Sequence, residues 1–385
     1  MSTTLELTIE KVVHGGMGLA RTAEGIVFVS GVLPDEKVHA MPVGRKSGIV
    51  NYRPVELVES SPQRRTPPCA HFGTCGGCDW LFAEYPLQTE LKRAIFIEAL
   101  ERIGKLPAGG TVPQILAGPE FGYRRRAQIK IDREKRAGFF KRESNDVVSL
   151  SGCPLCTDRI CSLLMRCGSE PQRLPDGLDN LKVVDGDAVL ASHPVLDGIT
   201  SAAATITCGG TRFDVSGDDF FQSNAPLLAP MAEWIASYCG GGTLVDLYGG
   251  TGFFSAVLAD KFEKGLLIES QRSMVERARW NFRHNGISRF KAVAAPAETL
   301  ERHIRSTPDV MIVDPPRPGL TRDAREAVGR IGATTLIYVS CNCATQARDV
   351  GYLVKKCGYS VTASALIDLY PNTHHTETVM VLRKG

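Results

Sequence analysis

From residue 243 onward, short apolar runs alternate with helical segments: TLVDLY, GLLIES, FKAVAA, DVMIVDPP, TLIYVSCN and TETVMVLRK. Runs that are apolar at nearly every position suit strands buried on both faces. Strands alternating with helices predict a parallel, doubly wound sheet, so an α/β domain is expected over residues 215–385. Such a sheet binds ligands in the crevice outside the carboxyl ends of its strands. The residues at those ends are therefore the ones to read for chemistry.

Four of them carry a signal. LVDLYGGTGFFS is a strand, then Gly249, Gly250 and Gly252, then a helix. Glycines at that turn let the backbone approach a ligand at the positive end of a helix. The spacing is not G-x-G-x-x-G, so a dinucleotide is not the first expectation. The next strand ends in Glu269, where doubly wound folds place an acid against a ribose hydroxyl. The strand VMIVDPP ends in Asp314, followed by a loop stiffened by Pro315 and Pro316. A nucleoside ligand that needs no pyrophosphate site fits this set. In YVSCNCATQARD, finally, Cys341 stands between a strand and a helix. A lone thiol there reads as a small hydrophobe. The rest of the chain decides whether this one is more than that.

At 385 residues the chain is too long for one ordinary core. Residues 1–59 form short runs punctuated by Gly and Pro, the pattern of a small β-barrel. SSPQRRTPPC reads as a linker, and PLQTELKRAIFIEALERIG, residues 86–104, as a helix. Residues 121–215 are mixed and strand-rich. No apolar stretch approaches the roughly 20 residues of a membrane span. The N-terminus has no secretion-signal pattern, so no membrane association and a cytoplasmic location are expected.

Twelve cysteines without a secretion signal point to thiols held for metal or catalysis. Cys69, Cys75 and Cys78 make a C-x5-C-x2-C run, and SGCPLC adds Cys153 and Cys156. Four thiolates hold either tetrahedral zinc or an iron–sulfur cluster. A spaced triplet with a distant Cys-Pro suits the cluster better than the paired knuckles of zinc ribbons. Between residues 123 and 145 lie nine Lys or Arg against three acids, with Tyr123, Phe139 and Phe140 interleaved. Such a stretch is either a solvated face or an RNA surface. The candidates for RNA contact are Arg124, Arg125, Arg126 and Lys130.

Together these residues resemble the RNA uracil-5-methyltransferase family, which makes 5-methyluridine with S-adenosylmethionine. The resemblance spans nearly the whole chain. It implies a Rossmann-like class I methyltransferase domain over 215–385. It implies a TRAM domain, an OB-type RNA-binding barrel, over 1–59. Between them, over 60–214, it implies a mixed α+β domain with an iron–sulfur cluster and an RNA-binding surface. The helix at 86–104 is expected to pack on the catalytic domain. By this resemblance Cys69, Cys75, Cys78 and Cys153 hold a 4Fe–4S cluster, which selects Cys153 over Cys156. FFQSN carries Gln222 over as a methyl-donor contact, and DLYGGTGFF carries Tyr248 and Gly250. Glu269 and Asp314 carry over as further donor contacts. SCNCAT resembles the signature Ser-Cys-Asn-Pro-x-Thr and makes Cys341 the nucleophile. TETVMVLR makes Glu377 the general base. Three positions depart from the pattern. Cys343 replaces a proline, Phe253 replaces a residue often polar, and Pro296 stands where an acid or amide usually meets the adenine.

The implied chemistry suits the residue types. Carbon 5 of uracil is a poor nucleophile until a thiolate adds at carbon 6. A base must then take the proton from carbon 5 so that the sulfur can leave. A free thiol, with a pKa of about 8.5, is mostly protonated at neutral pH, and a helix N-terminus after Cys341 is expected to favour the thiolate. The base is reached in a loop or flipped out of a stack. Two other readings stand beside this one. DPPR is similar to the Asp-Pro-Pro-aromatic loop of amino-group methyltransferases, and a non-catalytic RNA-binding protein could use the barrel and cysteines alone. Large-subunit 23S rRNA is the favoured partner, because the tRNA-specific bacterial branch commonly lacks barrel and cluster. Transfer RNA is the alternative substrate, and a monomer is expected.

Overall fold

The structure is a computed structural model that describes residues 4–46, 48–107 and 112–385. Its centre is an eight-stranded sheet. Across it run Phe290–Ala294, Phe262–Glu269, Gly241–Leu247, Val310–Val313, Thr335–Ser340, Glu377–Lys384, Tyr359–Ile367 and Gln114–Leu116. The first five are parallel, and Glu377–Lys384 runs antiparallel to both its neighbours. The apolar runs of the sequence are these strands. Thr335–Ser340 and Val310–Val313 are buried at every position. Side-chain alternation explains why both faces must be apolar. Leu336 and Tyr338 enter the core on one side of the sheet, and Ile337 and Val339 the core on the other.

Two pieces of chain reach this sheet from outside the expected 215–385 domain. Gln114–Leu116 pairs in parallel with Tyr359–Ile367 and closes the edge. The hairpin Ala203–Cys208 and Thr211–Ser216 sends Ile206, Phe213 and Val215 into the same core as Phe253 and Phe282. The helix Tyr85–Arg102 packs along Cys343–Cys357 on the other face. Gly351 permits that approach: a Cβ there would stand 2.4 Å from the Gly104 carbonyl oxygen. A mid-helix glycine costs about 1 kcal/mol relative to alanine, which the close packing must offset.

The N-terminal residues form a six-stranded sheet from Leu5–Thr8 to Ile49–Glu59, with its own core of Leu7, Ile9, Val29, Val38 and Tyr52. Val12 and Leu33 instead join the core beneath Tyr85–Arg102. The Trp80 indole donates to the Gly16 carbonyl at 3.3 Å. A five-stranded antiparallel sheet, Arg126–Ile131 at its centre, lies between these parts and is backed by the helix Asp158–Ser169.

Candidate active site and cysteine pocket

Cys341 lies between the last residue of a strand and Asn342, the cap of the helix Cys343–Cys357. The Asn342 side-chain oxygen accepts from the backbone N–H of Ala344 at 3.1 Å and Thr345 at 3.5 Å. Its amide donates to the Arg317 carbonyl at 3.2 Å, and the Thr345 hydroxyl donates to the same oxygen at 3.1 Å. The strand-to-helix turn is thereby tied to the loop that follows Asp314. Across the sheet, Ser340 is the register partner of Thr378, which places Glu377 one step on, beside Cys341. Glu377 is 3% exposed.

The electrostatics differ from the expectation of a helix-activated thiol. Burial pushes the Cys341 thiol up to about 11, and Glu377 and Asp314 add to the effect. Two of the free N–H groups at the helix start, those of Ala344 and Thr345, are already taken by the Asn342 side chain. Burial and the nearby Asp314 likewise hold Glu377 well above the usual carboxylate range. Burial together with Asp246 pushes Asp314 up to about 7.

The Gly-rich turn lies at the next strand end. Tyr248 has φ of 62°, a left-handed conformation costly for a side chain, and is half-buried. A Cβ on Gly249 would meet Leu267 at 2.5 Å, whereas one on Gly250 would meet nothing within 4 Å among the described residues. Space for a ligand therefore opens at Gly250. Its N–H donates to Glu269 at 3.3 Å, and Glu269 also accepts from the Gln271 N–H at 2.8 Å. Asp246, which the sequence reading passed over, accepts from Ser255 Oγ at 2.7 Å, and burial raises it to about 6. The other oxygen of Asp246 and the Gln222 carbonyl oxygen are buried without a hydrogen-bond partner among the described residues. Buried acceptors left unpaired are costly and mark a place for a donor or a cation. A methyl donor carrying an ammonium and a sulfonium fits them.

The departures from the pattern find local reasons. Cys343 is the first residue of its helix, the position where proline is favoured, and it is fully buried with its sulfur 3.6 Å from His14 Nδ1. Phe253 packs among Phe213, Phe221 and Phe254 with ring centroids 5.2–5.7 Å apart, as a core residue. Pro296 caps a short 3-10 turn.

Cys69, Cys75, Cys78 and Cys153 line one pocket with Phe72, Leu81 and Arg124. Cys156 is absent from that lining and sits in the apolar core behind it. The neighbouring Cys156, nearby backbone N–H groups and Arg124 hold the Cys153 thiol below its ordinary value. Among the described residues no three His, Cys, Asp or Glu side chains close on one point as a single metal ion requires. Four thiols lining one pocket are a donor set of the kind that holds an iron–sulfur cluster.

The basic stretch divides. Arg124 lines the cysteine pocket, 5.8 Å over Phe139, and donates to the Arg126 carbonyl at 3.1 Å. Arg125 is 3.8 Å from Asp187. Arg126 lies 5.7 Å over Phe220, which is 56% exposed, and Lys130 lies 4.9 Å over Phe140. The four residues thus do not form one solvated face.

The tRNA (uracil-5-)-methyltransferase family matches residues 205–385, beginning at the hairpin that joins the catalytic core. The 23S rRNA (uracil(1939)-C(5))-methyltransferase RlmD of Pseudomonas aeruginosa is 31% identical, over 98% of this chain and 94% of its own. The chain belongs to the RNA uracil-5-methyltransferase family. An RNA methyltransferase of Aquifex aeolicus is 32% identical to this uracil-5-methyltransferase, with 98% of each chain covered. The fold is that of the Pyrococcus abyssi tRNA (uracil-54, C5)-methyltransferase solved with S-adenosyl-L-homocysteine: TM-score 0.78, 21% identity, 98% of this chain and 100% of that one. No helix among the described residues is long and apolar enough to cross a membrane.

Proposed function

We propose that this methyltransferase uses S-adenosylmethionine to methylate carbon 5 of a uridine in 23S rRNA, with Cys341 as nucleophile and Glu377 as general base. The observation that carries the reading is the register that sets Cys341 beside Glu377, at the same sheet end as Asp314 and the Gly-rich turn. The match to RlmD over nearly the full length supports rRNA as the substrate class.

Gln222, Tyr248, Gly250, Glu269 and Asp314 would hold the donor, with Asp246 behind them. When bound, the donor supplies an electrophilic methyl group and positive charge. Cys341 attacks carbon 6 of the uracil, and its thiol proton is lost to solvent. With the donor bound, carbon 5 would form its bond to the methyl carbon as the sulfonium–methyl bond breaks, leaving the donor as a neutral thioether. Glu377 removes the remaining carbon 5 proton, the double bond re-forms, and the carbon 6–sulfur bond breaks to return the thiolate. A carboxylate held well above its usual range is a stronger base for that step.

Cys69, Cys75, Cys78 and Cys153 would hold a 4Fe–4S cluster, with residues 1–59 as a TRAM-type barrel and Lys130 and Arg126 on the RNA path. Transfer of labelled methyl groups to a 23S rRNA transcript spanning uridine 1939, and to unmodified tRNA, tests the reading. Label in 5-methyluridine of the rRNA is expected. Label in tRNA alone would move the substrate, and label in an amino group would refute the reaction.

A further inference from the structure

The segment from Asp368 to Thr376 leads from one strand of the sheet to Glu377, and around Asn372 its polar groups are held from outside the sheet. Asn372 is its centre, fully buried with φ of 66°. Its carbonyl accepts from the N–H groups of Asp79 and Trp80, both at 3.0 Å. Its own N–H donates to Gln88 Oε1 at 2.7 Å. Its side-chain oxygen accepts from Gln88 and Arg65, each at 3.1 Å, and its amide donates to the Glu120 carbonyl at 3.2 Å. On either side, the Pro371 carbonyl accepts from the Tyr123 hydroxyl at 3.0 Å, and His374 Nδ1 is 2.6 Å from Asp79. Asp79 directly follows Cys78.

Cys341 is supported differently. Its strand and the Asn342-capped helix both belong to the catalytic core. Both reacting groups share the sheet through the Ser340–Thr378 pair, but it is the approach to Glu377 that is hydrogen-bonded to Asp79 and Trp80, next to the cysteine loop.

We propose that Asn372 is a positioning residue for Glu377, and that the cysteine loop acts on the reaction through it. This rests on the roles given above to Cys341 and Glu377. Loosening Asn372 or Asp79 shifts the carboxylate relative to the carbon 5 proton but leaves the thiol in place. Adduct formation, which makes the carbon 6–sulfur bond, is spared. Adduct release slows, because there the proton passes to Glu377, the double bond re-forms and sulfur leaves.

The test uses the full-length protein, purified anaerobically, with the 23S rRNA transcript in single-turnover runs. Asn372→Gly keeps the backbone conformation accessible and removes the side-chain bonds. Asp79→Ala breaks the link to His374 and covers the case in which Asn372→Gly fails to fold. Iron content and visible absorbance report the cysteine pocket independently of activity. Iron retained, formation changed by less than about threefold and release slowed by about tenfold or more is the expected result. Equal slowing of both steps, or of neither, overturns the proposal. A wild type that forms no adduct sinks the catalytic reading itself, whereas a cycling wild type with indistinguishable variants sinks this inference alone.

Discussion

Ser340 and Thr378 are the last paired residues of an antiparallel ladder, and Thr378 Oγ1 donates to the Ser340 carbonyl at 3.2 Å. The pair fixes the separation of the residues just beyond it, Cys341 and Glu377. A slip of one residue would send one of them to the opposite face. Glu377→Gln should leave this geometry intact and remove only the base. Adduct should still form, and its release should slow by about 10²–10⁴, the usual contribution of a general base. Time-resolved denaturing gels with labelled RNA measure both rates, and an unchanged release rate would remove Glu377 from the mechanism.

The resting thiol should be inert. Raised to about 11, Cys341 carries far less thiolate at pH 7.5 than an ordinary cysteine. Iodoacetamide should therefore modify Cys341 more slowly than an unstructured peptide thiol. Peptide mass spectrometry gives the rate, and preferential labelling of Cys341 in RNA-free protein would contradict the buried, acid-flanked environment.

Asp314 should trade stability for donor binding. Its folded-state value of about 7 lies above the ordinary carboxylate value, so folding favours the protonated form. That contribution is fully present below about pH 4 and is lost as pH rises towards 7. Asp314→Asn should match wild type near pH 4 and be more stable above pH 7, on the order of 1–3 kcal/mol. Calorimetric affinity for S-adenosylmethionine should fall at the same time. A variant less stable than wild type at pH 8 would place Asp314 in a favourable ion pair instead.

The basic stretch should give two phenotypes. Arg124→Glu should lose iron, because its guanidinium lines the cysteine pocket. Lys130→Ala should keep iron and lower the slope of RNA affinity against salt by about one phosphate contact. Cys153→Ser should also lose iron, and Cys156→Ser should not. Elemental analysis and salt titrations of RNA binding separate these outcomes. Zinc in place of iron would overturn the cluster.

The strands from residue 243 onward were legible because apolar runs buried on both faces leave a strong mark in sequence. Gln114–Leu116 was not, because three half-exposed residues at a sheet edge carry no periodic signal. The hairpin at 203–216 looked like part of the middle domain, since sequence position does not say which core Ile206 and Phe213 enter. Cys341, Glu377 and the cysteine set were singled out by motif and not by periodicity. Asn342 as a helix cap was readable by rule, as Asn directly before a helix. Asn372 was hidden: its role lies in bonds to residues 65, 79, 80, 88 and 120, all remote in sequence. Arg124 was misleading, because a run of charge does not reveal which member turns inward.

The central claim is that Cys341, and not its neighbour Cys343, bonds to the target uracil. RNA carrying 5-fluorouridine at the target tests it, since fluorine cannot leave as a cation and the adduct stays trapped. Wild type and Cys343→Ala should each give a shifted band on a denaturing gel with labelled RNA, and Cys341→Ala should give none. A band that persists in Cys341→Ala and disappears in Cys343→Ala would contradict the account.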